Sequence, residues 1–421
     1  MHRAHWLRFV NVSSIYLDPK KTDPFFALAL ISVCLVGALG TWFSGTVIVD
    51  ELTLRAQLGK NQQVWLTNSV QLGFVVGAVL IAFFNISDSM SLTLLIALSC
   101  LLAALANFLL IWADTAAEIV VLRFITGVAL SGVYPPVVKL ISTWFEKARG
   151  IAMGVIIGAL TIGSAMPQLF SAIAVDTKWT LVIWASSSAT FVTGIIFLLC
   201  ISEGPYVFSR TRFDPLQIWQ VFRTRSLALT NIGYVGHMWE LYAMWAWILA
   251  FARFAEGRLE VFPFDKPEYF CFIIVSIGAI GCVIAGRLSD IFGRCNTTTI
   301  LMLVSGVCAF LIGFLVELDP ILFTVVAMIW GLTIIADSGQ FSAAVTELSE
   351  SHLVGTALTV QMALGFGVTV IAIWIVPIAA HCFGSFQWAF LILAPGPFIG
   401  AIAMLTLRRL PEARKLALGK R

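Results

Sequence analysis

Charge is scarce in this sequence. Only 12% of its residues are Asp, Glu, Lys or Arg, against 59% apolar, and mean hydropathy is +0.95. A soluble chain of 421 residues needs a far more polar surface, so a soluble protein is excluded. The formal charge is only +3, and its bases are spread over many connections, which argues against a nucleic-acid partner. No glycine-rich phosphate loop with a following lysine is present, so ATP is not the expected energy source. Nor is there an H-E-x-x-H helix, a nucleophile elbow or a paired set of metal ligands. Neither an enzyme nor a cofactor or metal is expected. Eight cysteines are scattered without a C-x-x-C pair or a histidine at ligand spacing, and read as buried free thiols. The first twenty residues have charges throughout and no apolar core before a cleavage site. No cleavable signal peptide is therefore expected, and the first span should direct insertion.

Apolar length is what the chain has in abundance. A helix needs about 20 apolar residues to cross hydrocarbon. That yardstick places spans near 25–48, 64–84, 91–112, 118–144, 150–173 and 179–201, then near 227–252, 269–288, 298–317, 321–346, 354–378 and 387–408. The longest polar stretch, Ser202 to Arg225, separates the sixth from the seventh and carries four arginines. The expected architecture is an all-α membrane protein of twelve transmembrane helices in two six-helix bundles. Residues 1–201 form the first bundle, 202–226 a cytoplasmic linker, and 227–421 the second bundle with a short basic tail. With the amino terminus inside, 18 of the 26 lysines and arginines are cytoplasmic and six lie outside, which puts both termini in the cytoplasm. A shift of 205 residues lays Gly150-Ile-Ala-Met on Gly355-Thr-Ala-Leu and Asn85-Ile86 on Asp290-Ile291, as a duplicated six-helix unit would.

The run Gly286-Arg287-Leu-Ser-Asp290-Ile-Phe-Gly293-Arg294 packs two glycines, an acid and two arginines between apolar stretches. It resembles the signature loop of the major facilitator superfamily, with Ile291 and Cys295 where that family often has bases. The segment from Trp144-Phe145 to Arg149-Gly150-Ile-Ala-Met-Gly154 is similar to the junction before the family's fifth helix, and Arg123-Phe-Ile-Thr-Gly127 to its fourth-helix R-x-x-x-G. The fifth-helix antiporter motif is only partly present, since Ser164-Ala-Met-Pro167 lacks its Gly-Pro ending. The resemblance implies a secondary transporter working by alternating access. Its cytoplasmic gate would comprise Gly286, Arg287, Asp290, Gly293, Arg294, Arg149 and Glu347. Asp290 should meet a neighbouring helix end or base, and Arg287 or Arg294 lipid headgroups or Glu347. The first-half counterpart, Asn85-Ile-Ser-Asp88-Ser89, has no base and no glycine, so a one-sided latch is expected, with Asp290→Ala loosening it and Asp88→Ala changing little.

Ionisable groups inside spans cost about 2.5–3.5 kcal/mol each unless paired or wetted, so they mark function. Arg123, Glu240, Asp337 and His237 are the candidates for substrate charge or proton coupling. The family resemblance gives Arg123 a coupling role; snorkelling to the outer interface is the alternative. His237 and Glu240 lie three apart on one helix face, where they can touch or line one cavity. Asn68, Gln71, Tyr134, Trp239, Tyr242 and Gln361 are candidate cavity-lining residues. A small polar or anionic metabolite moved with protons is the expected cargo, by a monomer embedded in the bilayer, in a bacterial inner membrane. Export of an amphipathic drug or siderophore, a non-transporting sensor and a lipid-modifying enzyme are the alternatives.

Overall fold

Short-range chemistry starts three of the helices. Asp23 accepts a hydrogen bond from the Phe25 amide ahead of Pro24, and Asp319 accepts one from Leu322 ahead of Pro320. Thr115 and Glu118 form a reciprocal capping box. The computed structural model describes residues 17–18, 21–145, 149–174, 179–206, 214–350 and 352–420. Among these there is no strand. The helices are α1 (Pro24–Leu39), α2 (Ser44–Val47), α3 (Val49–Ala56), α4 (Lys60–Phe83), α5 (Ile86–Ser89), α6 (Leu92–Leu109), α7 (Ala116–Ser131), α8 (Tyr134–Ser142), α9 (Arg149–Ile173) and α10 (Thr180–Leu199). They continue as α11 (Ile218–Arg223), α12 (Arg225–Glu256), α13 (Pro267–Ser276), α14 (Gly278–Phe292), α15 (Arg294–Leu315), α16 (Pro320–Ile334), α17 (Ser338–Leu348), α18 (Val354–Cys382) and α19 (Pro395–Arg408).

Ten described helical segments are long and apolar enough to cross a bilayer. The 16-residue α1 and the 32-residue α12 stand where the first and seventh spans are expected, so the helices are consistent with twelve. Several expected spans are broken helices. The first stops at Leu39 and resumes at Ser44, the tenth breaks between Ile334 and Ser338, and the eighth is interrupted at Ile277. Non-helical backbone at membrane depth persists only where protein or water satisfies it, so these breaks point to built interior sites.

Within residues 24–199, α4 packs on α7, α6 on α10, and α1 on α9 and α10. Within residues 218–420, α12 packs on α18 and α19, and α15 on α16 and α19. Two seams join the sets: α9 lies along α13 and α14, and α4 along α18. Glycine makes the closest approaches possible. A methyl group on Gly127 would overlap the Val70 carbonyl oxygen across the α4–α7 contact. Gly127→Ala is therefore expected to cost about 1–3 kcal/mol by overpacking, read as a lowered thermal midpoint of the purified protein. All eight cysteines are free and seven are buried, Cys382 being the exposed one.

Candidate functional site

The tenth span breaks because Ile335, Ala336 and Asp337 leave the α-helical ladder through tight turns, and α17 restarts at Ser338. Asp337 occupies the N-cap position, yet its carboxylate makes no cap bond to its own helix. Instead Oδ1 stands 2.8 Å from Nδ1 of His237 on α12. Both side chains are only 2% exposed. The contact has ion-pair distance but not the alignment of a good N–H···O bond, and His237 Nε2 has no partner. Imidazole and carboxylate therefore sit together in protein interior at a helix break.

Glu240 lies one turn further along α12, also 2% exposed. It does not bond to His237, the partner open to it from the i, i+3 spacing. Ser305 Oγ donates to its two oxygens at 2.9 Å, and Trp330 Nε1 donates at 2.6 Å. Both donors are neutral, and among the described residues no base reaches it. Sequence reasoning passed over Ser305 and Trp330. Tryptophan reads as an interfacial anchor in a membrane chain, whereas Trp330 is fully buried.

Arg123 is fully buried on α7, so it does not snorkel to an interface. It meets no carboxylate among the described residues. Its Nε donates to the Leu66 carbonyl at 3.1 Å, Nη1 to the Thr41 carbonyl at 2.8 Å, and Nη2 to the Trp42 carbonyl. Nη1 also lies 3.2 Å from Ser44 Oγ and 3.3 Å from Asn107 Oδ1. Ser44 donates to Asn107 Oδ1 at 2.6 Å, and Asn107 in turn donates to Ser187. The break between α1 and α2 thus frees two of the carbonyl oxygens that solvate the guanidinium, those of Thr41 and Trp42. A methyl on Gly45 would come within 3.0 Å of Nε. Arg123 is separate from the His237–Asp337 pair.

Between these two centres lies an aromatic layer. Trp42 packs on Phe74 at 5.0 Å, on Tyr242 at 5.5 Å and on Phe366 at 6.0 Å, and Phe43 meets Trp245 at 6.1 Å. Tyr242 therefore lies where the helix sets meet. Asn68 bridges them too, donating to the Val370 carbonyl at 3.1 Å with its own oxygen unpartnered. Gln71 is fully buried with both amide atoms unpartnered, and Gln361 donates to the Phe341 carbonyl at 3.4 Å. Tyr134 opens α8, half-buried. Trp239 faces elsewhere: it donates to the Ile392 carbonyl at 2.9 Å and lines a groove between α12, α18 and α19.

At one rim Arg294 is clamped by Glu347 at 2.5 and 2.8 Å and by Gln340 at 2.7 Å. Gly293 ends α14 at φ 90°, a left-handed conformation that favours glycine. Asp290 reaches the start of α9, where a methyl on Gly150 would lie 3.3 Å from Oδ2, and Lys420 donates to its backbone carbonyl at 2.6 Å. A methyl on Gly286 would lie 3.5 Å from the Gly150 carbonyl. Arg287 is exposed. Arg149 opens α9, its side chain lying outside the described residues. The first-half counterpart needs correction. Asp88 pairs with Lys139 of α8 at 2.6 Å, both less than a quarter exposed, and Lys139 also reaches the Ser87 carbonyl. The base missing from the loop is supplied by a neighbouring helix. Asp88→Ala and Lys139→Ala are each expected to lower stability by about 1–2 kcal/mol, and the double variant by much less than the sum, in a thermal-unfolding cycle.

At the opposite rim Arg253 links Asp50 at 2.6 Å and Glu268 at 2.9 Å, and Lys266 donates to the Ala172 carbonyl at 2.8 Å. Contacts cross between the sets at both ends. No cluster of three or more His, Cys, Asp or Glu suited to a metal ion occurs among the described residues.

The sequence profile of the Major Facilitator Superfamily matches residues 26–373. The chain belongs to this superfamily. Membership makes it a multi-pass integral membrane protein of a transporter family and not an enzyme. It is 24% identical over 193 residues to MFS-type transporter 1 of Ophiocordyceps sp. (strain BCC 1869), a match covering 44% of this chain and 40% of that relative. The matched part thus spans about two-fifths of the curated relative's length. The superfamily fold is shared with the nucleoside transporter NupG, at TM-score 0.69 and 14% identity, covering 91% of this chain and all of that one. It is shared equally with a bacterial homologue of the human lysosomal transporter Spinster in an inward-facing, unoccupied conformation, at TM-score 0.69 and 15% identity, covering 93% of this chain and 99% of that one.

Proposed function

We propose that this chain is a proton-coupled secondary carrier of a small polar or anionic metabolite, acting as a monomer. Two six-helix halves, residues 1–201 and 227–421 joined by the linker 202–226, rock about a central site with both termini cytoplasmic. One observation carries the reading: His237, Asp337 and Glu240 are buried at membrane depth with no lysine or arginine beside them among the described residues. Ionisable groups are costly there, and those without a permanent cation beside them suit a site where charge comes and goes. The unpartnered amide atoms of Gln71, Asn68 and Gln361 add neutral donors and acceptors for a polar solute. Contact at both rims suits a closed intermediate between two open states. Nucleosides enter the range of candidate solutes from NupG. The basic-inside asymmetry suits a plasma membrane.

Export of an amphipathic compound is the second reading, favoured by the aromatic layer of Trp42, Phe74, Tyr242 and Phe366. A thermal-shift screen of the purified wild type against carboxylates, nucleosides, sugars and amphipathic cations separates them. Stabilisation by polar or anionic solutes supports the first reading; stabilisation by amphipathic cations alone overturns it in favour of the second.

A further inference from the structure

Away from the central site, a cavity of about 520 Å³ opens between α12, α18 and α19. Ala228, Ile232, Val235 and Trp239 form one wall, and Ile392, Pro395 and Ile399 another, with Phe222 of α11 at one end. Ile232 and Ile399 are among the more exposed apolar side chains of the chain. On helices that cross a bilayer such a surface faces lipid. Asn231 is the exception in this apolar lining. It is 4% exposed, and both its amide nitrogen and its amide oxygen lack partners. A buried amide left unsatisfied on both sides costs free energy that a ligand carbonyl or hydroxyl can recover.

The cavity's axis and mouth narrow the choice of ligand. Along α12, Ala228 to Trp239 spans about 16 Å, enough to bury much of an extended acyl chain. Asn231 lies about 9 Å along the helix from Arg225. Arg225 and Arg223 are both exposed and flank the end where Phe222 sits, and Arg223 lies over the Trp219 ring at 5.4 Å. Exposed bases at the membrane surface attract anionic headgroups.

We propose that this groove is a binding site for one anionic phospholipid. An acyl chain fills the space beside Val235 and Trp239, an ester carbonyl takes the Asn231 amide, and the phosphate meets Arg223 or Arg225. Its assignment to the cytoplasmic leaflet rests on the inside placement of the 202–226 linker, while the site itself does not depend on what the carrier moves. A lipid seated there touches α12, the helix of His237 and Glu240, and so links membrane composition to the central site.

The test uses full-length protein in nanodiscs containing phosphatidylglycerol with a photoreactive diazirine in its acyl chain. Cross-links mapping to 228–239 or 392–399 are expected, and a cross-link pattern without these segments overturns the proposal. Native mass spectrometry of delipidated protein titrated with phosphatidylglycerol provides the second measurement. Asn231→Leu is expected to weaken retention of one lipid about tenfold, and Val235→Trp, on the lipid-facing side, to abolish it. Arg223→Gln with Arg225→Gln should erase the preference for phosphatidylglycerol over phosphatidylcholine. Wild-type retention in all three variants, or equal binding of the two lipids by the wild type, contradicts the assignment.

Discussion

Glu240→Gln is expected to lose proton-driven accumulation of solute while keeping the fold. Glutamine has nearly the same shape as the acid. Its oxygen still accepts from Trp330 Nε1, and its amide group can bond to Ser305 Oγ, so the buried pocket stays satisfied. What disappears is the ability to change charge. Accumulation against a gradient should fall at least about tenfold, equivalent to about 1.4 kcal/mol. Exchange of labelled for unlabelled solute, which needs no net proton movement, should persist. Gradient-driven accumulation at the wild-type level in Glu240→Gln vesicles would remove Glu240 from the coupling proposal. Loss of exchange as well would assign the residue to solute binding instead.

Arg123→Ala should do something different: destabilise the protein itself. The guanidinium serves the carbonyls of Thr41, Trp42 and Leu66 and sits against Ser44 and Asn107. Deleting it strands these acceptors in the interior and releases the α1–α2 break. The cost of breaking such a buried charged network is about 3–5 kcal/mol. The thermal midpoint should therefore fall and transport should fall with it. Arg123→Lys keeps a charge but lacks the planar fork, so only part of the stability should return. An Arg123→Ala protein with wild-type stability and altered transport would make Arg123 a coupling group first and a structural one second.

The contrast between these two residues shows what a linear sequence makes legible. Buried charge stands out against apolar surroundings, so Arg123, His237, Glu240 and Asp337 were all visible. Their partners were not. His237 and Asp337 are a hundred positions apart and meet only because α12 packs beside the α16–α17 break. The i, i+3 rule offered Glu240 as the neighbour of His237, but helical spacing says which residues share a face, not what stands opposite. Two of Arg123's acceptors, the carbonyls of Thr41 and Trp42, are freed by a helix break, and Thr41-Trp-Phe-Ser-Gly45 reads as continuous span because a break leaves apolar composition unchanged. The pairing of Lys139 with Asp88 arises from tertiary packing between α8 and the loop. The rim motif fared better because glycine and charge there act locally. Gly293 takes the positive φ, and Arg294 meets the acid expected for it, Glu347.

The most direct test of coupling is to follow pH while solute enters. Wild-type protein is reconstituted into sealed, weakly buffered vesicles, with no imposed gradient, and given the solute that best stabilises it. Proton co-transport predicts alkalinisation of the outer medium as the solute enters, and none in His237→Gln, Asp337→Asn or Glu240→Gln vesicles that still exchange solute. Solute entry into wild-type vesicles without any pH change would contradict proton coupling at this site.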